Sequence, residues 1–281
     1  MLRGVHFLPS MATLGNALCG FAAIYVCTLS PQNMGDDPWA IALARNSTLI
    51  ATYLIVVAAV FDALDGRLAR MTRSTTDFGG QLDSLADVIS FGCAPAFIAL
   101  VSFKHHGPQD LPLFISRAVF AIALLYVACA AIRLARFNVM NEHGDQSHQS
   151  FQGLPSPGAG LCVTMIAMAH QQLVMNNYSM LGVGVVSLLP LVMLACGLLM
   201  VSNMPYPHLV NAFLSGRKSL TKLLLALMLV LLLVVEHRLV FAVAGLVFAF
   251  SAPVWWVWKK WKGPGDVVLV PPIAEDQAIV K

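Results

Sequence analysis

Long apolar stretches alternate with short polar connections along almost the whole chain. Each stretch is 17 to 25 residues long, close to the roughly 20 mostly apolar residues that a helix needs to cross the hydrocarbon core of a bilayer. The pattern therefore predicts eight membrane-spanning helices joined by polar connections. The predicted spans cover residues 12–30, 47–66, 79–103, 114–137, 157–176, 181–202, 219–235 and 238–258.

The composition leads to the same conclusion. Of the 281 residues, 58% are hydrophobic and only 11% are charged, whereas charged residues make up roughly 25% of a soluble domain. So few charges cannot cover the surface of a soluble domain of this length, and the sequence predicts an all-α integral membrane protein. The net charge of +3 is too small to indicate a nucleic-acid partner, and none is expected.

The basic residues are distributed unevenly between the predicted connections. If the N-terminus is inside, thirteen of the seventeen Lys and Arg residues lie on that same side of the membrane. Cytoplasmic connections carry such an excess of positive charge. The distribution therefore predicts that both termini face the cytoplasm, which requires an even number of spans.

Four of the fourteen acidic residues cluster at the cytoplasmic ends of the second and third predicted spans. Asp62 and Asp65 share one face of the second span, and Asp83 and Asp87 share one face of the third, because residues three or four positions apart lie on the same side of a helix. The short connection between these spans makes them antiparallel neighbours. We therefore expect the four carboxylates to converge on one site.

Four carboxylates in a medium less polar than water repel one another and need counter-charge. Oxygen ligands suit hard divalent cations, and four carboxylates suit a pair of ions of the kind that assists phosphoryl transfer. Gly66, Ala69 and Gly79 keep the same helix faces open for a ligand, and Arg70 can neutralise phosphate oxygens. The alternative interpretation is that the acids cap helix ends or pair with neighbouring arginines.

The order Asp62-x-x-Asp65-Gly66-x-x-Ala69-Arg70, then Gly79, Asp83 and Asp87 at set spacings, resembles the full signature of the CDP-alcohol phosphotransferase family. The resemblance implies transfer of a phosphatidyl group from CDP-diacylglycerol to an alcohol, with release of CMP. It implies two divalent cations, Mg²⁺ or Mn²⁺, held by the four aspartates, with Asp87 also acting as the base. It also implies that Gly66, Ala69, Arg70 and Gly79 contact the CDP-activated lipid.

The same resemblance implies a domain organisation and a location. A six-helix catalytic core is expected in residues 1–205, two additional transmembrane helices in 206–258 and a cytoplasmic tail in 259–281. The protein is expected to lie in the bacterial cytoplasmic membrane among membrane lipids, to form a homodimer and to have its active site on the cytoplasmic side.

Two polar residues of the first predicted span also have the spacing of one helical turn. Thr13 and Asn16 can meet the nucleotide or a phosphate of the donor, and they are predicted to bind CDP-diacylglycerol. A hydrogen bond between helices inside the bundle is the alternative. His170 stands alone in the fifth span and is interpreted as a packing or interface residue rather than as a ligand.

The acceptor is predicted from four further segments, which are similar to those of membrane-embedded phosphatidylserine synthases of this family. They lie at residues 9–16, 90–96, 133–138 and 151–157. L-Serine carries a carboxylate that needs a cation, and Arg133 and Arg136 at the end of the fourth span are predicted to supply it. Alternatively, both arginines are membrane anchors whose head groups reach the interface.

Two other functions remain open at this point. The same chemistry can use glycerol 3-phosphate or an inositol phosphate as the acceptor, although an anionic acceptor requires a denser basic pocket. An ion-coupled transporter would explain acids inside membrane spans, but it would not explain the spacing of the small residues or the adjacent Arg70.

Overall fold

The computed structural model describes residues 7–33, 35–72, 77–108, 111–142, 153–204, 206 and 220–262. Only the backbone is described for residues 7–10, 69–70, 72, 77, 140–142, 220–237, 259–260 and 262. These described parts of the chain are built from helices, without strands. The prediction of an all-α membrane protein is therefore confirmed.

The described residues form nine α-helices, α1 to α9 in chain order, and a six-residue π-helix links α4 to α5. The helices are α1 (Phe7–Cys27), α2 (Pro38–Arg45), α3 (Ser47–Thr72), α4 (Asp77–Asp87), the π-helix (Val88–Cys93), α5 (Ala94–His106), α6 (Leu113–Glu142), α7 (Ser156–Met175), α8 (Ser179–Val201) and α9 (Leu220–Lys262).

Six segments in the described chain are long and apolar enough to cross a membrane, and Met11–Cys27 forms a shorter apolar helix in α1. α4, the π-helix and α5 together make one of these spans, over Phe78–His106. The first six predicted spans therefore correspond to helices. The short helix α2 was not predicted; it begins at Pro38, where the Asp37 side chain accepts a hydrogen bond from the backbone N–H of Trp39.

The last two predicted spans differ from the structure, because 219–235 and 238–258 were expected to be separate helices. The backbone from Leu220 to Lys262 is instead one helix of 43 residues, about 65 Å long, which is roughly twice the thickness of a bilayer core. The predicted connection at 236–237 includes neither Gly nor Pro, so nothing in it stops a helix.

Small side chains allow the helices to pack closely around a narrow core. α1 packs along α3, and α7 lies between α3, α5, α8 and α9. Alanine is frequent among the fully buried residues, as at Ala23, Ala51 and Ala159. Helices in membranes associate through such small residues because they bring the backbones close together.

Two glycines show how closely the helices approach the π-helix. A Cβ on Gly20 of α1 would lie 2.7 Å from Ser90 Cα, and a Cβ on Gly160 of α7 would lie 3.2 Å from Phe91 Cα. Real Cβ atoms do not tolerate the first distance. α1 and α7 therefore pack directly against the segment that follows Asp87, and this packing fixes the position of the acidic residues.

Candidate active site

The aspartates of α3 and α4 meet at one end of the helix bundle. Asp62, Asp83 and Asp87 each place one carboxylate oxygen within 4.8 Å of the other two, close enough to share a metal ion. Asp65 also acts electrostatically on these three groups and is itself buried. The structure thus brings together the four acids that the sequence places on two facing stripes.

Two polar side chains of α1 hold two of these carboxylates. Thr13 Oγ1 donates a hydrogen bond of 2.7 Å to Asp65 Oδ2, and Asn16 Nδ2 donates one of 3.0 Å to Asp87 Oδ1. Both donors are at most 4% exposed. Hydrogen bonds from donors to a charged carboxylate are stronger than those between neutral groups. The sequence predicts that Thr13 and Asn16 bind CDP-diacylglycerol. In this structure both side chains contact the acids.

The π-helix sets the direction of the chain directly after Asp87. Its hydrogen bonds run over five residues instead of four, and such turns frequently occur at functional sites. Ser90 Oγ donates to the carbonyl of Asn16 at 2.8 Å, and the Tyr126 hydroxyl donates to the carbonyl of Phe91 at 2.9 Å. α1 and α6 therefore both anchor the turn that carries Asp87.

Four positions on α3 and α4 are predicted to bind CDP-diacylglycerol: Gly66, Ala69, Arg70 and Gly79. A Cβ on Gly66 would meet nothing within 4 Å, so space is open beside Asp65. Gly79 is half-buried in α4 and interacts with a neighbour. Ala69 and Arg70 belong to α3, but their side chains lie outside the described residues.

Arg133 lies beside the acids and is mostly buried. Its Nη1 donates a hydrogen bond of 2.5 Å to Ser156 Oγ at the start of α7. Its Nε is buried and has no hydrogen-bond partner within the described part of the chain. The charges of Asp87 and Asp62 act on this guanidinium. Arg133 therefore presents a positive charge toward the carboxylates from the opposite helix.

Arg136 has a different environment, one turn further along α6. Its Nη1 donates to the backbone carbonyl of Val201 at 3.2 Å and to Asn203 Oδ1 at 3.0 Å. Val201 is the last residue of α8, and Asn203 lies two residues beyond it. The contacts tie α6 to α8, and the structure thus separates two arginines that the sequence treats as a pair.

Two contacts near the site carry no clear signal in the sequence. Asn138 Nδ2 donates to Ser84 Oγ at 2.9 Å, which links α6 to the residue that follows Asp83. Ser156 supports Arg133 from α7. Both pairs are more than twenty residues apart, so helical periodicity cannot predict them.

The possible ligand atoms of the site fit divalent cations. They are carboxylate oxygens, which hard ions such as Mg²⁺ and Mn²⁺ prefer. Asp83 Oδ1 and Asn16 Oδ1 are buried without a hydrogen-bond partner among the described residues, and a buried oxygen that lacks a partner is costly. A cation bound by Asp62, Asp83 and Asp87 would offset the mutual repulsion of these groups.

Known proteins match this chain over more than half of its length. The profile of the CDP-alcohol phosphatidyltransferase family matches residues 6–201. A CDP-diacylglycerol–serine O-phosphatidyltransferase of Bacillus subtilis is 30% identical over 207 residues, which cover 73% of this chain and 92% of that protein.

Two other relatives carry the same name. The protein of Helicobacter pylori is 37% identical over 160 residues, which cover 57% of this chain and 61% of the relative. The protein of Methanocaldococcus jannaschii is 32% identical over 158 residues, which cover 56% of this chain and 64% of the relative. The chain thus spans less than two thirds of the length of these two proteins.

The matched region contains the elements that build the site. It includes α1 with Thr13 and Asn16, α3 and α4 with the four aspartates, and α6 with Arg133. The match also ends with α8, before α9 begins. The extent of the match and the geometry of the acids together show that the chain belongs to the CDP-alcohol phosphatidyltransferase family.

Proposed function

We propose that this protein transfers the phosphatidyl group of CDP-diacylglycerol to the hydroxyl of L-serine, giving phosphatidylserine and CMP. The observation that carries the proposal is the convergence of Asp62, Asp83 and Asp87 from two helices, with Arg133 facing them. The names of the relatives support serine as the acceptor.

Two divalent cations, Mg²⁺ or Mn²⁺, are proposed as cofactors. Asp62, Asp65, Asp83 and Asp87 would hold them, since these carboxylates have no other sufficient counter-charge on the described part of the chain. When bound, such ions supply positive charge to the diphosphate oxygens, where negative charge develops during phosphoryl transfer.

Asp87 is proposed as the base. It accepts the proton of the serine hydroxyl while the serine oxygen forms a bond to the lipid-side phosphorus. The bond from that phosphorus to the oxygen of CMP breaks, and CMP leaves with the electron pair. Asn16 holds one carboxylate oxygen of Asp87, which leaves the other oxygen for the proton.

CDP-diacylglycerol is proposed to bind along the face of α3 that carries Gly66. The space beside Gly66 admits a phosphate next to the acids, and Gly79, Ala69 and Arg70 are proposed to complete this side of the site. Thr13 is better explained as a positioning residue, because its hydroxyl is buried and donates to Asp65. We propose the same role for Asn16.

The acceptor is proposed to lie beside Arg133. A buried guanidinium whose Nε lacks a partner suits a carboxylate, since arginine binds carboxylates through two parallel hydrogen bonds. Ser156 positions the group by accepting from Nη1. Arg136 contributes positive charge but is held by the end of α8, so we assign it the smaller part of serine binding.

The arrangement of the helix ends supports a cytoplasmic site. Thr13 and Asn16 near the start of α1 contact the acids, so α1 begins at the acidic end. α9 runs antiparallel to α7, because positions 245 and 248 lie against positions 162 and 158. The tryptophan-rich end of α9 therefore also lies at the acidic end.

The excess of basic residues at this end supports a cytoplasmic side for the site. Residues near the acidic end include Arg67, Arg133 and Arg136, and α9 ends there with three lysines. This bias favours the cytoplasmic face, and we propose the bacterial cytoplasmic membrane as the location, with both termini inside. A homodimer remains a prediction from the family resemblance.

The test is an acceptor panel with purified full-length protein. CDP-diacylglycerol is incubated with L-serine, glycerol 3-phosphate or inositol phosphate, and the lipid product is identified by mass spectrometry while CMP is measured. We expect phosphatidylserine, and we expect no product after removal of divalent cations. A different lipid product would replace serine as the acceptor, and absence of CMP release with every acceptor would favour the transporter.

A further inference from the structure

Two histidines meet at the end of the bundle opposite to the acidic site. His106 ends α5 and His170 lies near the end of α7, and their ring centroids are 4.9 Å apart. About 28 Å of helix separates His106 from Asp87, at 1.5 Å per residue. The two histidines therefore lie near the other face of the membrane, outside the proposed catalytic site.

The hydrogen bonds of His170 determine which ring nitrogen carries the proton. Its Nδ1 lies 2.8 Å from the carbonyl oxygen of Gly182. A carbonyl only accepts, so Nδ1 must donate, and Nε2 of the neutral ring then has a free lone pair. Nε2 is buried and has no partner within the described residues, and the side chain is only 1% exposed.

His106 has a matching arrangement. Its ring forms a hydrogen bond to the backbone of Ser102, one turn earlier on α5. Histidines that bind metals almost always donate one ring N–H to a carbonyl or carboxylate, which orients the ring and leaves the other nitrogen for the metal. Both rings of the pair meet this condition.

The distance between the rings fits shared coordination. A Zn²⁺–nitrogen bond of about 2.0–2.1 Å places an imidazole centroid about 3.2 Å from the ion. Two such rings at a tetrahedral angle have centroids about 5.2 Å apart, close to the 4.9 Å observed. The charge of His105 acts on His106, and the charge of His106 acts on His170.

We infer that His106 and His170 form a binding site for one imidazole-preferring transition-metal ion, such as Zn²⁺ or Cu²⁺, that links α5 to α7. Imidazole nitrogen suits these ions, whereas the acidic site suits hard ions with oxygen ligands. His106 is exposed, so the ion can reach the site from the solution on that side, and water can complete its coordination. The inference does not depend on the proposed transferase reaction.

Cu²⁺ is the probe that tests this site, because electron paramagnetic resonance separates nitrogen from oxygen ligands. Full-length protein without a polyhistidine tag is titrated with Cu²⁺ in detergent. We expect a superhyperfine pattern from two nitrogens. His106→Gln and His170→Gln should each remove that pattern and weaken copper binding by about tenfold or more.

His105→Gln is the matched control, because His105 is exposed on the same helix end and its ring lies 6.4 Å from that of His106. This variant should keep the two-nitrogen pattern. A wild-type spectrum with oxygen ligands alone, an unchanged pattern in His106→Gln, or loss of the pattern in His105→Gln would each overturn the inference. His106 is exposed, so its variant decides the question even if the buried His170→Gln variant does not fold.

Discussion

Replacement of Thr13 by valine tests whether α1 positions the acids or binds the donor. The two side chains have nearly the same shape, so Thr13→Val removes the hydroxyl that donates to Asp65 at 2.7 Å and keeps the size of the side chain. A hydrogen bond to a charged group contributes about 1.5–3 kcal/mol. At about 1.4 kcal/mol per factor of ten, the loss corresponds to roughly a 10- to 100-fold fall in kcat.

Thr52→Val is the matched control. Thr52 is also a fully buried threonine, but its hydroxyl donates to the carbonyls of Thr48 and Thr164, away from the acids. Its loss should lower stability by about 1 kcal/mol and leave turnover close to that of the wild type. Thermal unfolding and steady-state kinetics of both variants separate the two effects.

The division of the effect between kcat and KM decides the role of Thr13. A positioning residue should lower kcat and raise the metal concentration needed for half-maximal activity, with KM for CDP-diacylglycerol nearly unchanged. If Thr13 instead binds the nucleotide, as the sequence predicts, KM for CDP-diacylglycerol should rise and kcat should hold. Equal kinetics in Thr13→Val and Thr52→Val would refute the positioning role.

Three further predictions concern the metal ligands, the acceptor and the tail. Replacing Asp62, Asp65 or Asp83 by Asn should remove most activity through weaker metal binding; near-normal turnover of any one variant at low Mg²⁺ would argue against a shared two-metal site. Arg133→Ala should raise KM for serine more than KM for CDP-diacylglycerol, because the guanidinium is proposed to bind the serine carboxylate; equal effects on both substrates would indicate an anchor. Removal of residues 259–281 should preserve turnover per inserted molecule, because the three lysines among 259–262 contribute only about 1 kcal/mol each through anionic head groups; a well-inserted but inactive truncated enzyme would show that the tail reaches the site.

Residues 259–281 were predicted to be a cytoplasmic tail, but α9 extends through the first four of them, to Lys262. The side chains of the lysines lie outside the described residues. The truncation therefore shortens α9 by about one turn. It leaves Ala249, whose carbonyl accepts from the Tyr206 hydroxyl at 2.8 Å, in place.

The sequence by itself determined the apolar helices, the acidic stripes and the family. Helical periodicity is a local property, and it places Asp62 and Asp65 on one face, and Asp83 and Asp87 on another, before any packing is known. The predicted break at 236–237 shows the limit of this argument, because α9 continues through these two residues as one helix.

The tertiary structure decided which faces meet. Thr13 reaches Asp65 across 52 positions, Asn16 reaches Asp87 across 71, and His106 lies beside His170 across 64. Periodicity cannot predict such pairs, since they depend on how closely neighbouring helices approach and at what rotation. Here the approach is set by small residues such as Gly20 and Gly160 against the π-helix, and the π-helix itself changes the rotation of every residue after Asp87. A contact between helices is thus a property of their packing, which no single segment of the sequence contains.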